Sequence, residues 1–290
     1  MARGLDHIVH AVHDLDAAVD LYRRMGFQVS ARNRHPRSWG THNHIVQFPG
    51  TYVELLSLAD ISGMAPHGPR QFSFGAFNRD FLKHGDGLSI LVLEGRGASD
   101  AEEFRAKGIG DFSLFEFERE GRRPDGASVR LSFALAFAAD PGMPRVGFFT
   151  SFQHHPEHFW NPEFQVHPNT AKNVAGVVIV AQDPDRHAGF LSAFTGVEAK
   201  RPTAGGLTFK TTRGDIDVVT PVAFLKRFGV GPPDVSDGAR LAAVRFSLAD
   251  ASLLAGIPGE AGIAGLYAEN TTVIGHEDAM GAILVFEPSR

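Results

Sequence analysis

Two residues, far apart in sequence, carry groups able to hold a cation. His7 lies in Gly4-Leu5-Asp6-His7-Ile8-Val9-His10-Ala11-Val12, and Glu54 lies in Thr51-Tyr52-Val53-Glu54-Leu55. A neutral imidazole and an ionised carboxylate satisfy a divalent ion while leaving positions for substrate oxygens. Such an ion acidifies a bound hydroxyl or enol, or holds O2 beside a chelated substrate. A carboxylate in the apolar run Tyr52-Val53-Glu54-Leu55-Leu56 is otherwise costly to bury. The competing readings are a solvent-facing Glu54 on an alternating strand and a hydrogen-bonded core His7.

Other polar and aromatic groups could surround such a centre. Pro36 and Gly40 make His35 to Asn43 a loop between strands. That loop can bring His35, Thr41 and Asn43 to a cavity mouth, or simply cap its own backbone. His35 is the candidate general base, since imidazole titrates near neutral pH. His154 and His155 are adjacent, so on a continuing strand they face opposite ways and one looks inward; His154 is preferred. His167-Pro168-Asn169 reads as a cavity wall or a turn. Trp39, Phe152, Phe159 and Trp160 suit an apolar or aromatic substrate, or an ordinary core.

The elements that must position these groups repeat. Leu5 to Val12 reads as a strand, and Asp14 caps a helix from Leu15 to Met25, which Gly26 stops. Strands near Phe27–Ser30, Asn43–Phe48 and Tyr52–Leu58 follow. A second unit has a strand at Leu88–Val92, a helix Ala101–Lys107 capped by Ser99 or Asp100, and strands near Phe112–Arg119, Ser128–Ala138 and Val146–Phe152. A third runs from Val174–Val180 through a helix from Asp183 to Phe194 into Leu207–Thr211 and Ile216–Thr220. The fourth has Leu241–Leu248, a short helix from Asp250, and strands near Leu266–Glu269, Thr272–Gly275 and Ile283–Phe286.

The fold class is therefore α+β: four βαβββ units in two cupped β-sheet modules, with a domain break near Asn169–Asn173 that gives 1–170 and 171–290. Asp14-Leu15-Asp16 aligns with Asp183-Pro184-Asp185, and Gly50-Thr51-Tyr52 with Gly214-Asp215-Ile216. In that alignment His7 falls on Gly176 and Glu54 on Val218, neither of which binds metal. Asp217 is one residue away, which turns it to the other face. The second half is expected to keep the fold without the site.

The segments Asp6-His7-Ile8-Val9, His35-Pro36-Arg37-Ser38-Trp39-Gly40-Thr41-His42-Asn43, Tyr52-Val53-Glu54-Leu55 and Gln153-His154-His155-Pro156-Glu157, with Phe159-Trp160 and His167-Pro168-Asn169, together resemble the vicinal oxygen chelate superfamily, in its glyoxalase-like form. The resemblance covers residues 5 to about 170. It implies paired units whose first and last strands carry metal ligands, and a metal that chelates substrate oxygens. Carried over by position, it makes His7 and Glu54 the first-unit ligands and His154 the third. The remaining ligand position falls near Ser89, a poor ligand. Two histidines and one carboxylate suit Fe(II), Mn(II) or Zn(II). The implied activity is a dioxygenase or a lyase/isomerase acting on a small oxygenated, aromatic or keto-acid substrate. The missing fourth ligand keeps a metal-free binding protein as the alternative.

The bulk composition removes other classes. The 290 residues carry a formal charge of −5 without a long basic run, so nucleic acid is not an expected partner. Apolar residues at 43% and charged residues at 21% are globular values. No apolar run reaches the roughly 18 residues of a membrane span, and the first residues lack a signal-peptide core. Without cysteine there are no disulfides, thiolate nucleophiles or Cys-held zinc. A cytoplasmic protein with a small-molecule substrate is expected, with a homodimer left open.

Overall fold

A computed structural model describes residues 1–122, 126–202 and 205–289. The first half runs β1 (Leu5–Ala11), α1 (Leu15–Arg24), β2 (Asn33–Arg34), β3 (Thr41–Phe48), β4 (Thr51–Leu58), α2 (Phe74–Leu82), β5 (Gly87–Glu94), α3 (Ala98–Ala106), β6 (Phe115–Arg122), β7 (Ser128–Ala138), β8 (Gly147–Gln153) and α4 (Pro156–Phe159). The second half runs β9 (Ala171–Val180), α5 (Ala188–Thr195), β10 (Leu207–Lys210), β11 (Asp215–Val219), α6 (Pro221–Phe228), β12 (Arg240–Leu248), α7 (Ile257–Ala261), β13 (Leu266–Ala268), β14 (Thr271–Ile274) and β15 (Ile283–Pro288).

The strands form two curled sheets. One has eight strands in the order β2-β3-β4-β1-β5-β8-β7-β6, and the other seven in the order β10-β11-β9-β12-β15-β14-β13. Within each unit the first strand runs parallel to the last, as β1 does to β4 and β5 to β8. The first strands of paired units meet antiparallel, β1 on β5 and β9 on β12. This is the α+β arrangement of βαβββ units in two cupped modules.

Local chemistry accounts for most element ends. Asp14 accepts a hydrogen bond from the Ala17 N–H at 2.9 Å, an N-cap for α1. Leu15, Ala18, Val19, Leu21 and Tyr22 form the buried stripe of that helix. Gly26, at φ +81°, ends the segment beyond it.

Two expectations are corrected and one helix is added. Phe27–Ser30 is not a strand: Phe27 is buried against Phe246, ring centroids 5.0 Å apart, and the short strand lies instead at Asn33–Arg34. The N-cap of α3 is Gly97, not Ser99 or Asp100, because Asp100 is drawn inward by Arg3 and Arg96. Helix α2 was not foreseen. Ser73 caps it by accepting from the Ala76 N–H, and its Phe74, Phe81 and Leu82 pack on the concave face of the first sheet.

A single apolar layer lies between the two sheets. Ile8, Val53, Leu55 and Leu91 of the first sheet share it with Val177, Ile179, Val244 and Phe246 of the second, together with Tyr22, Phe104 and Phe194 from the helices. The concave faces point away from this layer and have their own clusters, one around Val9, Trp39, Tyr52 and Phe149, the other around Val178, Phe224 and Phe228.

Candidate functional site

β1 and β4 are parallel neighbours in which His7 pairs with Tyr52 and Val9 with Glu54. Alternation along each strand sends both His7 and Glu54 to the concave side. His7 Nε2 lies 3.8 Å from Glu54 Oε2, and both side chains are buried. The His7 ring stacks on Tyr52, centroids 4.2 Å apart, with the edge of Phe149 at 5.6 Å. Its Nδ1 meets Asp6 Oδ1 at 2.5 Å. An Nδ1–H donated to that carboxylate leaves Nε2 as a lone pair aimed toward Glu54, the tautomer a metal ligand needs.

Glu54 is held from the other side by Asn43 of β3 and by His35 in the loop that precedes it. The Asn43 amide donates to Glu54 Oε1 and also to His35 Nε2, the latter at 3.0 Å. Since Asn43 donates there, His35 Nε2 is an acceptor, and its Nδ1–H donates to Thr41 Oγ1 at 2.8 Å. His35 is thus a neutral imidazole whose Nε2 lies 3.4 Å from Glu54 Oε1. Burial pushes its pKa down to about 3, helped by the nearby Arg119 charge. Burial also raises the Glu54 carboxyl, opposed by His7 and the Asn43 hydrogen bond. Asn43 Oδ1 is buried without a hydrogen-bond partner. Trp39 packs edge-on against His35 and lies against Phe74 and Phe117.

These groups line an inner cavity of about 40 Å³, the volume of roughly one water or one ion. It adjoins a wider cleft of about 650 Å³, and Ile45, Arg119 and Phe159 line both spaces.

His7, His35, Trp39, Thr41, Asn43 and Glu54 are therefore brought together; His154, His155, Phe152, His167 and Asn169 are not. The inward residues of β8 are Phe149 and Ser151, so Phe152 and His154 fall on the opposite parity. His154 is solvent-exposed, 3.9 Å from Glu116 and edge-on to Phe152, and so lies outside the ligand position the resemblance implied. His155 is exposed beside His158 and Glu157; these three are the set of ligand-type residues, among those described, whose donor atoms all lie within 4.8 Å. His7, His35 and Glu54 do not converge that closely. His167 accepts from the Gln28 N–H and donates to the Gln47 carbonyl, both at 3.0 Å, as a structural pin behind β3. Asn169 bonds the Met25 carbonyl and the Ala171 N–H and fastens the end of α1. Ser89 donates to Asn78 Oδ1 on α2 and is spent there.

Sequence reasoning passed over Arg119, Phe117, Phe133 and Phe149, which complete the cavity wall. The signal was present in Phe115-Glu116-Phe117-Glu118-Arg119-Glu120. Its period of two sets Arg119 on the face of the two phenylalanines, with the glutamates opposite.

The second sheet differs from its expectation. Gly176 pairs with Asp215 as His7 pairs with Tyr52, so the Glu54 position is held by Asp217 and not by Val218. Val218 faces the shared apolar layer. Asp217 is buried and accepts from Arg245 at 3.0 Å, Arg227 at 2.8 Å and Thr208 at 2.7 Å. Arg245, which pairs with Gly176 across β9 and β12, also grips Glu287. A Cβ at Gly176 would lie 2.3 Å from the Asp215 carbonyl oxygen, so no histidine fits there without backbone movement. The carboxylate persists, but guanidinium groups occupy the place of an ion.

Residues 5–195 match the family described as a glyoxalase-like domain. A search of curated proteins found no match. Among solved structures, a hypothetical protein from Staphylococcus aureus is similar over 100% of both chains, with a TM-score of 0.67 and 12% identity. A triple mutant of 4-hydroxymandelate synthase from Streptomyces coelicolor is similar over 98% of this chain and 92% of its own, with a TM-score of 0.59 and 9% identity. A xylose isomerase-like TIM barrel/4-hydroxyphenylpyruvate dioxygenase fusion protein matches 100% of this chain over 50% of its own, with a TM-score of 0.53 and 9% identity. At these identities the structural likeness shows a common fold.

Proposed function

The chain belongs to the glyoxalase-like domain family and has the vicinal oxygen chelate fold, and on that premise we propose that it is a metal-dependent enzyme acting on a small oxygenated substrate. The observation that carries this reading is the facing pair on β1 and β4. A separation of 3.8 Å between His7 Nε2 and Glu54 Oε2 is too long for a hydrogen bond, yet suits two ligands each roughly 2 Å from one ion. The donor set fits Fe(II), Mn(II) or Zn(II), and the orphaned Asn43 Oδ1 leaves a further polar atom beside it. His7 and Glu54 would hold the ion. His35 would supply a third donor only by exchanging the Asn43 hydrogen bond at Nε2 for the ion, and a pKa near 3 makes it a weak general base at neutral pH. A bound ion would supply Lewis-acid stabilisation of a substrate oxygen as negative charge develops there.

The protein's own groups do the rest. Asp6 fixes the tautomer and orientation of His7. Asn43 ties Glu54 to His35. Trp39, Phe74, Phe117 and Phe149 supply apolar wall to the inner cavity, where a low dielectric strengthens each polar contact.

A metal-free binding protein is the second reading, favoured by one observation: β8 offers Phe149 and Ser151 to the cavity where a further ligand would stand. Metal analysis separates the two. One tight equivalent of divalent ion is expected in protein purified without a chelating column, counted in a His155→Ala/His158→Ala background to remove the surface trio. His7→Ala and Glu54→Ala should abolish it. Wild type that takes up no Mn(II), Fe(II) or Zn(II) at micromolar concentration would refute the enzyme reading. O2 uptake with the metal-loaded protein then distinguishes a dioxygenase from a lyase or isomerase.

A further inference from the structure

The neck between the inner cavity and the outer cleft holds a cation that no direct ion pair meets among the described residues. Arg119 lies on β6, half-buried, and lines both spaces. Among the described residues no carboxylate lies within ion-pair distance of its guanidinium. Its hydrogen bond to the protein is a long one, from Nη1 to the Glu120 carbonyl at 3.4 Å. Glu118 pairs with Arg130 on the outer face, while Glu120 and Glu157 line the cleft without an ion pair to Arg119. The field of Glu54 and the Tyr52 hydroxyl reaches the guanidinium, but both belong to the inner cavity. Partial burial of an unpaired guanidinium is costly unless an anion arrives to meet it.

Geometry narrows that anion. The inner cavity, at about 40 Å³, is too small for an organic substrate, so the substrate body must lie in the 650 Å³ cleft with one end reaching inward. Past the neck the cleft wall carries Phe159, Trp160 and Phe164. A planar guanidinium offers two parallel N–H donors, a fork that matches a carboxylate. We infer that Arg119 is the specificity-determining residue of this site, and that the substrate is a carboxylic acid whose carboxylate docks on Arg119 while an adjacent oxygen enters the His7–Glu54 cavity and an apolar or aromatic body fills the cleft. This rests on the proposed function for the role of the inner cavity, but the recognition of the acid by Arg119 does not depend on a metal.

The probes are benzoylformate, an α-keto acid bearing a ring, and its uncharged methyl ester, titrated calorimetrically into metal-free and Mn(II)-loaded protein. Wild type should bind the acid at least 10-fold more tightly than the ester. Arg119→Gln should weaken acid binding 10- to 100-fold, the range for a charged hydrogen-bonded contact. Its ester affinity should stay within twofold of wild type. Arg119→Lys should fall between, since it keeps the charge and loses the fork. The inference is overturned if Arg119→Gln binds the acid as wild type does, if the ester binds wild type as well as the acid does, or if neither benzoylformate nor phenylpyruvate binds below about 10 mM. Acid selectivity that depends on Arg119 in a protein that takes up no metal would uphold this inference while refuting the metal reading.

Discussion

Replacing Glu54 by Gln should make the metal-free protein more stable and, at the same time, blind to metal. Glu54 is buried, with the Asn43 amide as its hydrogen-bond donor and His7 at 3.8 Å, beyond hydrogen-bonding range. A carboxylate so placed lacks full compensation for its lost hydration, which is why burial raises its pKa. Gln retains an oxygen for Asn43 and removes the charge. Relief of an undercompensated buried polar group is on the order of 1–3 kcal/mol. For a chain of this length that is about 2–6 °C in midpoint temperature, using roughly 2 °C per kcal/mol. Mn(II) at about 1,000 times its dissociation constant should stabilise wild type by about 4.1 kcal/mol and reverse the order. Thermal denaturation at pH 7.5 with EDTA and then with Mn(II) reads both effects. A metal-free wild type as stable as Glu54→Gln, with no shift on adding Mn(II), would refute the reasoning that Glu54 is an undercompensated carboxylate able to bind an ion.

Three other outcomes follow from the packing. His167, held neutral by the Gln28 N–H, has its pKa pushed down to about 4 by burial. Between the unfolded value of 6.5 and about 4 the unfolded chain binds the extra proton. This stabilising contribution is therefore complete above pH 6.5 and is lost as pH falls, by about 2 kcal/mol at pH 5. Urea titrations from pH 7 to 5 should show that slope reduced by about one proton in His167→Phe. Arg245→Met leaves Asp217 and Glu287 short of their shared partner and should cost 3–5 kcal/mol in denaturant unfolding, while Arg245→Met/Asp217→Val/Glu287→Leu should recover much of it. Gly75→Ala would place a Cβ 1.9 Å from the Trp39 carbonyl oxygen, so it should destabilise α2 and change the intrinsic fluorescence as Trp39 is displaced.

Much of this was legible because the strands alternate and the helices are capped. Asp14 with Gly26 marked α1, and the apolar run around Glu54 marked β4. His7 and Glu54 could be paired because their strands open and close one unit. The misses have physical causes. His154 sits after the end of β8, on the parity opposite Phe149 and Ser151, and the two-residue uncertainty of a strand end hides that. Asp217 faces the concave side because loops of unequal length shift the second half by one residue, enough to exchange it with Val218. Helix α2 contains Gly75, whose low helix propensity masks it, and its function is packing against β1 and β4. Arg119 was readable in the Phe-x-Phe-x-Arg alternation, but a charge on an apolar stripe gains meaning only when its surroundings lack a counter-ion.

The apolar layer common to both sheets makes the two halves thermodynamically inseparable. Cutting the chain near residue 170 would expose Ile8, Val53 and Leu91 on one fragment and Val177, Val244 and Phe246 on the other. Each fragment would be driven to self-associate or aggregate, so heat should melt the intact chain in one cooperative transition. A change confined to the second sheet, such as a cavity opened at Val244 or Phe246, would therefore loosen the wall on which His7 and Glu54 stand.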